Sequence, residues 1–380
     1  MATGFPTKAN WAAGDILTAS AMDDLAGTVN LLTNSSASTG QYLVSNAAGT
    51  SFVYNNNFAA GKNKIINGDF NVWQRGTSFT PAASGNQVFT ADRFSVFRDG
   101  SGTVTVSQQT FTPGTAPVSG YEGQYYLRFA QSVAGSGETY SVLEQRIEDV
   151  RSFAGQTITL SFWAKGAAGA TLAAPSVVQY FGSGGSGTVY TVIGTSQTLT
   201  TSWQRFSFTG TVPSVSGKTI GTGSSLGAAI ALLCNTAFTW DFWGVQVEAG
   251  SVATAFQTAT GTFQGELAAC QRYYFRNVAS PTSFASLGGA GWYTSSTTST
   301  SLVMTPPVTM RSAPSSVEYG GTVAIMSSGA TTTNISALTL NQTTANVIGL
   351  TATATCVIGT VYTLAANNSS TAYVGVSAEL

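Results

Sequence analysis

Histidine is absent from the 380 residues, and charged residues of both signs are scarce. The first absence excludes Ser-His-Asp and Cys-His nucleophile systems and histidine-ligated zinc, so any catalytic interpretation must depend on carboxylates. Charged residues make up 8% of the chain, about a third of the share in an ordinary soluble domain. The formal net charge of -1 provides no long-range field for nucleic acid or an anionic membrane. We therefore expect no nucleic-acid partner.

Long apolar runs are missing too. The opening stretch, MATGFPTKANWAAGD, has no apolar core of a signal peptide, and no segment approaches membrane-spanning length. We therefore expect a protein made in a cytoplasm, without a signal peptide and without membrane insertion. The three cysteines, Cys234, Cys270 and Cys356, are widely spaced and form no CxxC motif. We interpret them as small buried apolar residues, with a disulfide among them as the alternative.

The sequence is rich instead in glycine, hydroxyl-bearing residues and apolar residues. It has 42 glycines, and hydrophobic residues make up 43% of the chain. Threonine and valine fit the pleated surface of a strand, while glycine supplies turns. This composition is typical of a mostly β protein, and the length suffices for about two or three domains.

One helix is predicted near the start of the chain, in TASAMDDLAGTVNLLTN. Met22, Leu25, Val29 and Leu32 follow a spacing that resembles a short heptad seam. A helix this short is marginal alone, and its flanks offer no core. We predict that the four residues dock on another protein or bundle with copies of this chain, with packing on their own chain as the alternative. Residues 1–61 are then an N-terminal segment with a helix and a linker.

Residues 62–262 are predicted to form one all-β domain, an antiparallel sandwich. The segment TITLSFWAKG places Ile158, Leu160, Phe162 and Ala164 on one face of a strand, because side chains alternate between the faces.

The segment that leads into this domain, KNKIINGDFNVW, concentrates apolar residues after a loose stretch rich in asparagine and glycine. Ile65, Ile66, Phe70 and Trp73 are predicted to form the first strand and its lead-in, sealing one end of the sandwich. The preceding residues 40–63 alternate short apolar groups with turn residues, as either a small strand-turn-strand unit or an extended linker would.

Residues 263–380 are predicted to form a second, smaller β-sandwich. Its start, TFQGELAACQRYYFR, is interpreted as a helical turn or the start of a strand. Beyond Arg276 the only charged residues are Arg311, Glu318 and Glu379, while apolar residues alternate with threonine and serine. A surface this poor in charge would make a monomer prone to associate. We therefore predict that part of this surface is buried between copies of the chain.

Several segments carry a family resemblance in their order and spacing. They are NKIINGDFNVWQRGTSF, FTADRF, VLEQRIEDVRSFAGQTITLSFWAKG, TTSWQRFSFTGTVPS and GVQVEAGSVATAFQ. Together they resemble a domain common in bacteriophage tail-fibre proteins, which is similar to the galactose-binding-like jelly rolls of carbohydrate-binding modules. WAAGDILTASAMDDLAGTVN resembles the virion-attachment segment of such fibres, and CQRYYFR, PPVTMRSAPSSVEY and NNSSTAYVGVSAEL resemble their C-terminal domain.

The resemblance implies a structural virion protein. Such a tail fibre is made in the host cytoplasm, attaches to a tail or baseplate protein through its N-terminus, and is usually a homotrimer. Its sandwich domains would present a receptor-binding surface for host polysaccharide or lipopolysaccharide. Two alternatives stay open: a glycan-degrading tailspike enzyme, and a fibre attached to the capsid or collar. A tailspike would favour a long β-helix, and no such repeat is present.

Carboxylates supply two candidate sites. Glu144, Glu148 and Asp149 lie in LEQRIEDV, but the arginines interleaved with them favour a surface ion-pair network over the carboxyl pair of a glycosidase. We therefore expect no catalysis.

A calcium ion is the other carboxylate candidate, and the resemblance implies it, since carbohydrate-binding jelly rolls often hold a structural Ca²⁺. Asp69, with Asp241 or Glu248, would supply oxygen ligands. The alternative is that Asp69 caps a turn and Glu248 pairs with an arginine.

Sugar binding is the last candidate, because sugars stack on aromatic faces while polar groups bind their hydroxyls. The predicted aromatic residues are Trp163, Tyr121, Tyr180 and Trp292. Any of them could belong to the core instead.

Overall fold

Antiparallel strands dominate the computed structural model. It describes residues 61–83, 85–118, 121–279, 284–292, 294–327 and 332–380, together with the backbone of 41–45 and 52–56. Within these residues there is one helix, α1 (Phe263–Gln271), and it is far too short to cross a membrane. The prediction of a mostly β sandwich is confirmed.

The chain divides into two units, Met1–Phe58 and Ala59–Leu380. In the first, β1 (Gln41–Ser45) and β2 (Phe52–Asn56) pair antiparallel, with Gln41 opposite Asn56. This pairing matches the strand-turn-strand interpretation of that stretch. The predicted helix with Met22, Leu25, Val29 and Leu32 lies outside the described residues, so its role stays a prediction.

The second unit begins with a sandwich of two six-stranded sheets. In spatial order, the first sheet contains β12 (Val189–Val192), β11 (Ser176–Tyr180), β15 (Ser225–Ala231), β8 (Ser141–Glu148), β5 (Phe94–Arg98) and β4 (Val88–Phe89). The second contains β14 (Gln204–Thr211), β9 (Thr157–Lys165), β16 (Phe238–Ala249), β7 (Tyr125–Val133), β6 (Thr103–Thr110) and β3 (Ser78–Phe79). Two short strands, β10 (Thr171–Leu172) and β13 (Gln197–Thr198), pair outside these sheets. From β7 onward the long strands alternate between the sheets, which is the winding of a jelly roll.

The main core lies between these two sheets. The residues of β9 predicted to share one face, Ile158, Leu160, Phe162 and Ala164, are all fully buried in it. Aromatic residues of β16 fill the space beside them: the rings of Phe162 and Phe242 lie 5.9 Å apart. The period-two pattern therefore identified the core-facing side of this strand correctly.

The lead-in to the sandwich is not the strand that the sequence predicts. Ile65 and Phe70 are buried as expected, but residues 66–69 form turns, and Asn67 and Phe70 have positive φ. The side chain of Asn67 accepts a hydrogen bond from Val72 N at 2.8 Å and donates to Val72 O at 2.9 Å. Asparagine tolerates this left-handed backbone and bonds nearby peptide groups in place of a sheet partner.

The rest of the second unit is built on a three-stranded and a seven-stranded sheet. The smaller sheet has the order β17 (Tyr274–Val278), β26 (Tyr373–Ser377), β20 (Ser316–Gly320). The larger has the order β22 (Thr332–Asn334), β21 (Val323–Ser327), β25 (Tyr362–Ala366), β18 (Ser286–Gly291), β19 (Ser299–Met304), β24 (Ile348–Thr353), β23 (Ala337–Leu340). A second core, with Leu302, Leu350 and Val374 fully buried, belongs to these strands.

The helix α1 and a group of charges join the jelly roll to the C-terminal strands. Glu379 binds Arg93 and, at 3.3 Å, Arg75, and the side chains of all three are at least nine-tenths buried. Arg311 donates to the carbonyls of Ala378 and Glu379 at 3.0 and 3.3 Å. The junction is therefore ionic, although the chain as a whole is poor in charge.

Candidate functional site

A cleft of about 550 Å³ lies on the outer face of the sheet that contains β15. Its shape follows from side-chain size. The central strand β15 contributes only small residues to this face, namely Ser225, Gly227, Ala229 and Ala231, so the middle of the sheet forms a depression. Larger side chains stand on the neighbouring strands. Because alternate residues of a strand share one face, the depression runs along β15.

Aromatic rings line both sides of the depression. Tyr180 of β11 and Tyr190 of β12 lie on one side, and Phe97 of β5 and Tyr140, next to β8, lie on the other. Tyr190 is 71% exposed, although its large ring would be expected to seek burial. Exposed rings beside a floor of small residues can stack on the apolar faces of a flat ligand.

A charged triad of Glu144, Arg146 and Tyr180 occupies one part of the cleft. The Tyr180 hydroxyl donates to Glu144 Oε2 at 2.8 Å, and Arg146 Nε donates to Glu144 Oε1 at 2.9 Å. The guanidinium of Arg146 also lies over the Tyr180 ring, 4.0 Å from its centroid. Burial, followed by the charge of Glu144, raises the pKa of Tyr180, so its hydroxyl keeps its proton. The triad is a fixed set of hydrogen-bonding groups.

Gly227 is required for this arrangement. A Cβ built on it would lie 2.7 Å from Glu144 Oε2 and 3.0 Å from a ring carbon of Tyr180. Because Gly227 has no side chain, the carboxylate of Glu144 on β8 can extend over β15 and reach Tyr180 on β11. The cross-strand register sets Arg146 opposite Gly227, and Gly227 opposite Val178.

Of the aromatic residues predicted to bind sugar, only Tyr180 lies in the cleft. Trp163 is buried on the outer side of the other sheet, with its ring 5.4 Å from that of Trp243 and under the guanidinium of Arg205. Tyr121 belongs to the same aromatic cluster and donates its hydroxyl to Asp69 at 3.0 Å. Trp292 is exposed, but it lies beyond β18, among the C-terminal strands.

The three carboxylates predicted to hold calcium are engaged separately. Asp241 accepts two hydrogen bonds from Arg128, at 2.7 and 2.9 Å. Glu248 pairs with Lys62 at 3.1 Å, whereas the predicted alternative gave it an arginine partner.

Asp69 is buried in the turn that leads into the sandwich. Within the described ranges no cluster of three or more acidic or cysteine side chains could hold a metal ion. These positions do not fit a shared Ca²⁺ site.

The carboxylates of LEQRIEDV do form ion pairs, as predicted, but not on one surface. Asp149 pairs with Arg151 in solvent, and Glu148 pairs with Arg272 at the start of the C-terminal strands. Glu144, in contrast, is buried beside the cleft. The three cysteines are unpaired; Cys270 and Cys356 are buried and Cys234 is half-buried.

The sequence contained one signal for the cleft that its interpretation missed. Val142, Glu144 and Arg146 alternate along β8 and therefore share a face. Phe97, Tyr140 and Tyr190 gave no comparable signal. They come together with β8 only through the order of the strands in the sheet, which local patterns do not contain.

The comparisons with known proteins show a similarity of structure only. No family model matches the chain, and no curated protein does. Among solved structures, the enzymatically active domain of tailspike protein 4 of bacteriophage CBA120 is 15% identical, with a TM-score of 0.30, over 50% of this chain and 21% of that one. This chain therefore spans about a fifth of that protein.

Carbohydrate-binding modules also recur among the similar structures. The CBM22-1 xylan-binding domain of Paenibacillus barcinonensis Xyn10C is 14% identical, with a TM-score of 0.30, over 51% of this chain and 98% of that one. A CBM4 structure is 21% identical, with a TM-score of 0.28, over 49% and 99%. At TM-scores this low, the likeness carries no argument about ligand or activity.

Proposed function

We propose that the cleft on the β15 sheet binds a glycan without cleaving it. The observation that carries this proposal is the combination of exposed aromatic rings with the fixed triad of Glu144, Arg146 and Tyr180 around a floor of small residues. Rings stack on the apolar face of a sugar, while carboxylate and guanidinium groups bind its hydroxyls. A carboxylate already oriented by two partners loses little conformational entropy on binding.

The proposed role in the organism is that of a phage tail fibre. It rests on the segments that resemble such fibres, with residues 1–61 as the attachment segment for a tail or baseplate protein. The glycan would then be host polysaccharide or lipopolysaccharide, and the assembly a homotrimer. A capsid or collar fibre is the alternative, and an image of the particle labelled with antibody against this chain distinguishes the two.

The absence of catalysis is part of the proposal. Glu144 is the one acidic side chain among the described residues that line the cleft, whereas glycosidases use two carboxyl groups about 5–10 Å apart. Both carboxylate oxygens of Glu144 are also engaged, one by Arg146 and the other by Tyr180. Release of reducing ends from capsule polysaccharide by the purified protein would favour the tailspike alternative.

The test of glycan binding is a glycan array, followed by calorimetric titration of the best ligand. Tyr190→Ala and Phe97→Ala each remove one ring from the cleft while leaving the core intact. We expect each to weaken binding roughly five-fold, because an aromatic contact of this kind contributes about 1 kcal/mol.

Phe263→Ala is the matched control, since Phe263 is an exposed ring on α1, outside the cleft. Equal affinity in the cleft variants and the control would refute the cleft as the site. No binding by the wild type to any glycan would refute the function itself.

A further inference from the structure

One end of the seven-stranded sheet exposes a group of large apolar side chains. Trp292 is 72% exposed, Val357 67%, Ile358 62% and Val361 41%. We call these four residues the apolar end. Single exposed apolar residues are common on soluble proteins, but a group of this size usually marks an interaction surface.

The strand register brings these residues together. Ala290 of β18 lies opposite Thr363 of β25, so Trp292, just beyond the end of β18, and Val361, just before the start of β25, lie at the same end of this antiparallel pair. Thr294 N donates to Thr360 O at 3.1 Å, and Gly359 N donates to Thr294 O at 2.9 Å. The turn that carries Val357 and Ile358 therefore runs beside the chain that follows Trp292.

This turn holds its apolar side chains in place. Val357 N donates to the Tyr362 hydroxyl at 2.8 Å, Thr360 N donates to Val357 O at 3.2 Å, and Gly359 adopts a positive φ of 83°. The apolar side chains are thus presented by a hydrogen-bonded turn, which lowers the entropy lost when a partner covers them.

The described residues of the C-terminal strands bring no formal charge to this end. The only charged residues beyond Arg276 are Arg311, Glu318 and Glu379. Arg311 and Glu379 bind at the junction with the jelly roll, and Glu318 pairs with Arg276 at 2.8 Å. The apolar end therefore has no charge with which to select a charged partner or orient one.

We infer that the apolar end is the surface through which copies of this chain associate. A partner with charged groups would leave them desolvated and unpaired against it. Another copy presents the same uncharged surface, so the two match in charge and in apolar character. A glycan fits less well, because the aliphatic side chains of Val357, Ile358 and Val361 offer no hydrogen bond to its hydroxyls. The inference rests on the proposed self-association and assigns it to named residues.

The test is sedimentation of the full chain over a range of micromolar concentrations. Ile358→Lys with Val361→Lys places two like charges in the apolar end at exposed positions, where folding tolerates them. We expect the wild type to sediment as an oligomer and the double variant to shift by at least ten-fold in concentration toward the 39.1 kDa monomer. Val133→Lys is the control, because Val133 is 56% exposed on the jelly roll, and it should sediment like the wild type.

Each other outcome contradicts the inference in a different way. A monomeric wild type overturns both self-association and this surface, while the glycan titration still tests the cleft. An oligomer unaffected by the double variant overturns the surface alone. If the double variant still sediments as an oligomer but loses glycan binding, and its far-UV circular dichroism stays unchanged, the apolar end binds sugar instead.

Discussion

Among single residues, Asp69 has the most unusual environment. Its Oδ2 accepts hydrogen bonds from Asn71 Nδ2 at 2.6 Å and from the Tyr121 hydroxyl at 3.0 Å, whereas its buried Oδ1 accepts none from the described residues. Burial, aided by the nearby charge of Glu266, raises the pKa of Asp69 to about 6, although the Tyr121 hydrogen bond opposes the shift. Between about pH 4 and 6 the folded protein therefore holds a proton here that an unfolded chain has already lost.

This proton makes stability depend on pH in a direction opposite to that of most carboxylates. A raised pKa contributes stability that is complete below about pH 3.8 and is lost as the pH rises through about 6. Asp69→Asn removes the titration, so its free energy of unfolding should exceed that of the wild type by up to roughly 3 kcal/mol at pH 8, and by much less at pH 4. Urea unfolding at four pH values measures the difference. A difference that stays constant with pH would contradict the prediction, and Asp149→Asn, in solvent, provides the control.

At the scale of elements, α1 is held by its first turn. Thr262 Oγ1 accepts from Gly265 N at 3.1 Å as the N-cap. The buried carboxylate of Glu266 accepts from Asn67 N at 2.6 Å and from Thr260 N and Oγ1 at 2.7 and 2.8 Å. A helix of nine residues is not stable alone, so these bonds to the lead-in turn fix its position.

Glu266→Ala should therefore destabilise the whole second unit. It leaves the buried N–H group of Asn67 and the half-buried N–H group of Thr260 without their acceptor, and we expect a loss of about 3 kcal/mol in the free energy of unfolding. Glu266→Gln keeps one acceptor oxygen and should lose less. Thermal unfolding of both variants measures which is the less stable, and equal losses of stability would show that the acceptor oxygen kept by glutamine contributes nothing.

Elements also show how much the sequence predicts. The core-facing side of β9 could be predicted from the sequence, because the alternation of side chains between two faces is a local property of a strand. The turn structure of the lead-in could not be predicted from the sequence. Its apolar residues alone suggested a strand, whereas the bond from Asn67 N to Glu266 joins residues 199 apart in the chain. The cleft was missed for the same reason. Glu144 and Arg146 were visible on β8, but Tyr180 joins them only through two strand pairings that no local pattern reveals.

At the scale of the molecule, we expect the buried ionic junction to make the jelly roll and the C-terminal strands unfold together. Glu379 pairs with both Arg93 and Arg75, and all three side chains are at least nine-tenths buried. Removing one partner of such a group leaves charge buried without compensation, which costs more than the pair itself contributes.

Glu379→Gln should lower the free energy of unfolding by about 3 kcal/mol or more. We also expect the single calorimetric transition of the second unit to broaden or split in this variant. The matched control is again Asp149→Asn, because its pair with Arg151 is solvent-exposed and should contribute less than about 1 kcal/mol. Equal melting temperatures for the two variants would refute a structural role for the junction.

The side chain of Asn63 has a consequence for how the protein is made. Its amide donates to Val245 O at 3.1 Å and to Gln257 O at 3.0 Å, the latter across 194 residues. A ribosome that adds about 5–20 residues per second needs about 10–40 s to travel that distance. During this interval the Asn63 amide lacks both of these acceptors. The jelly roll is therefore completed late in its own synthesis.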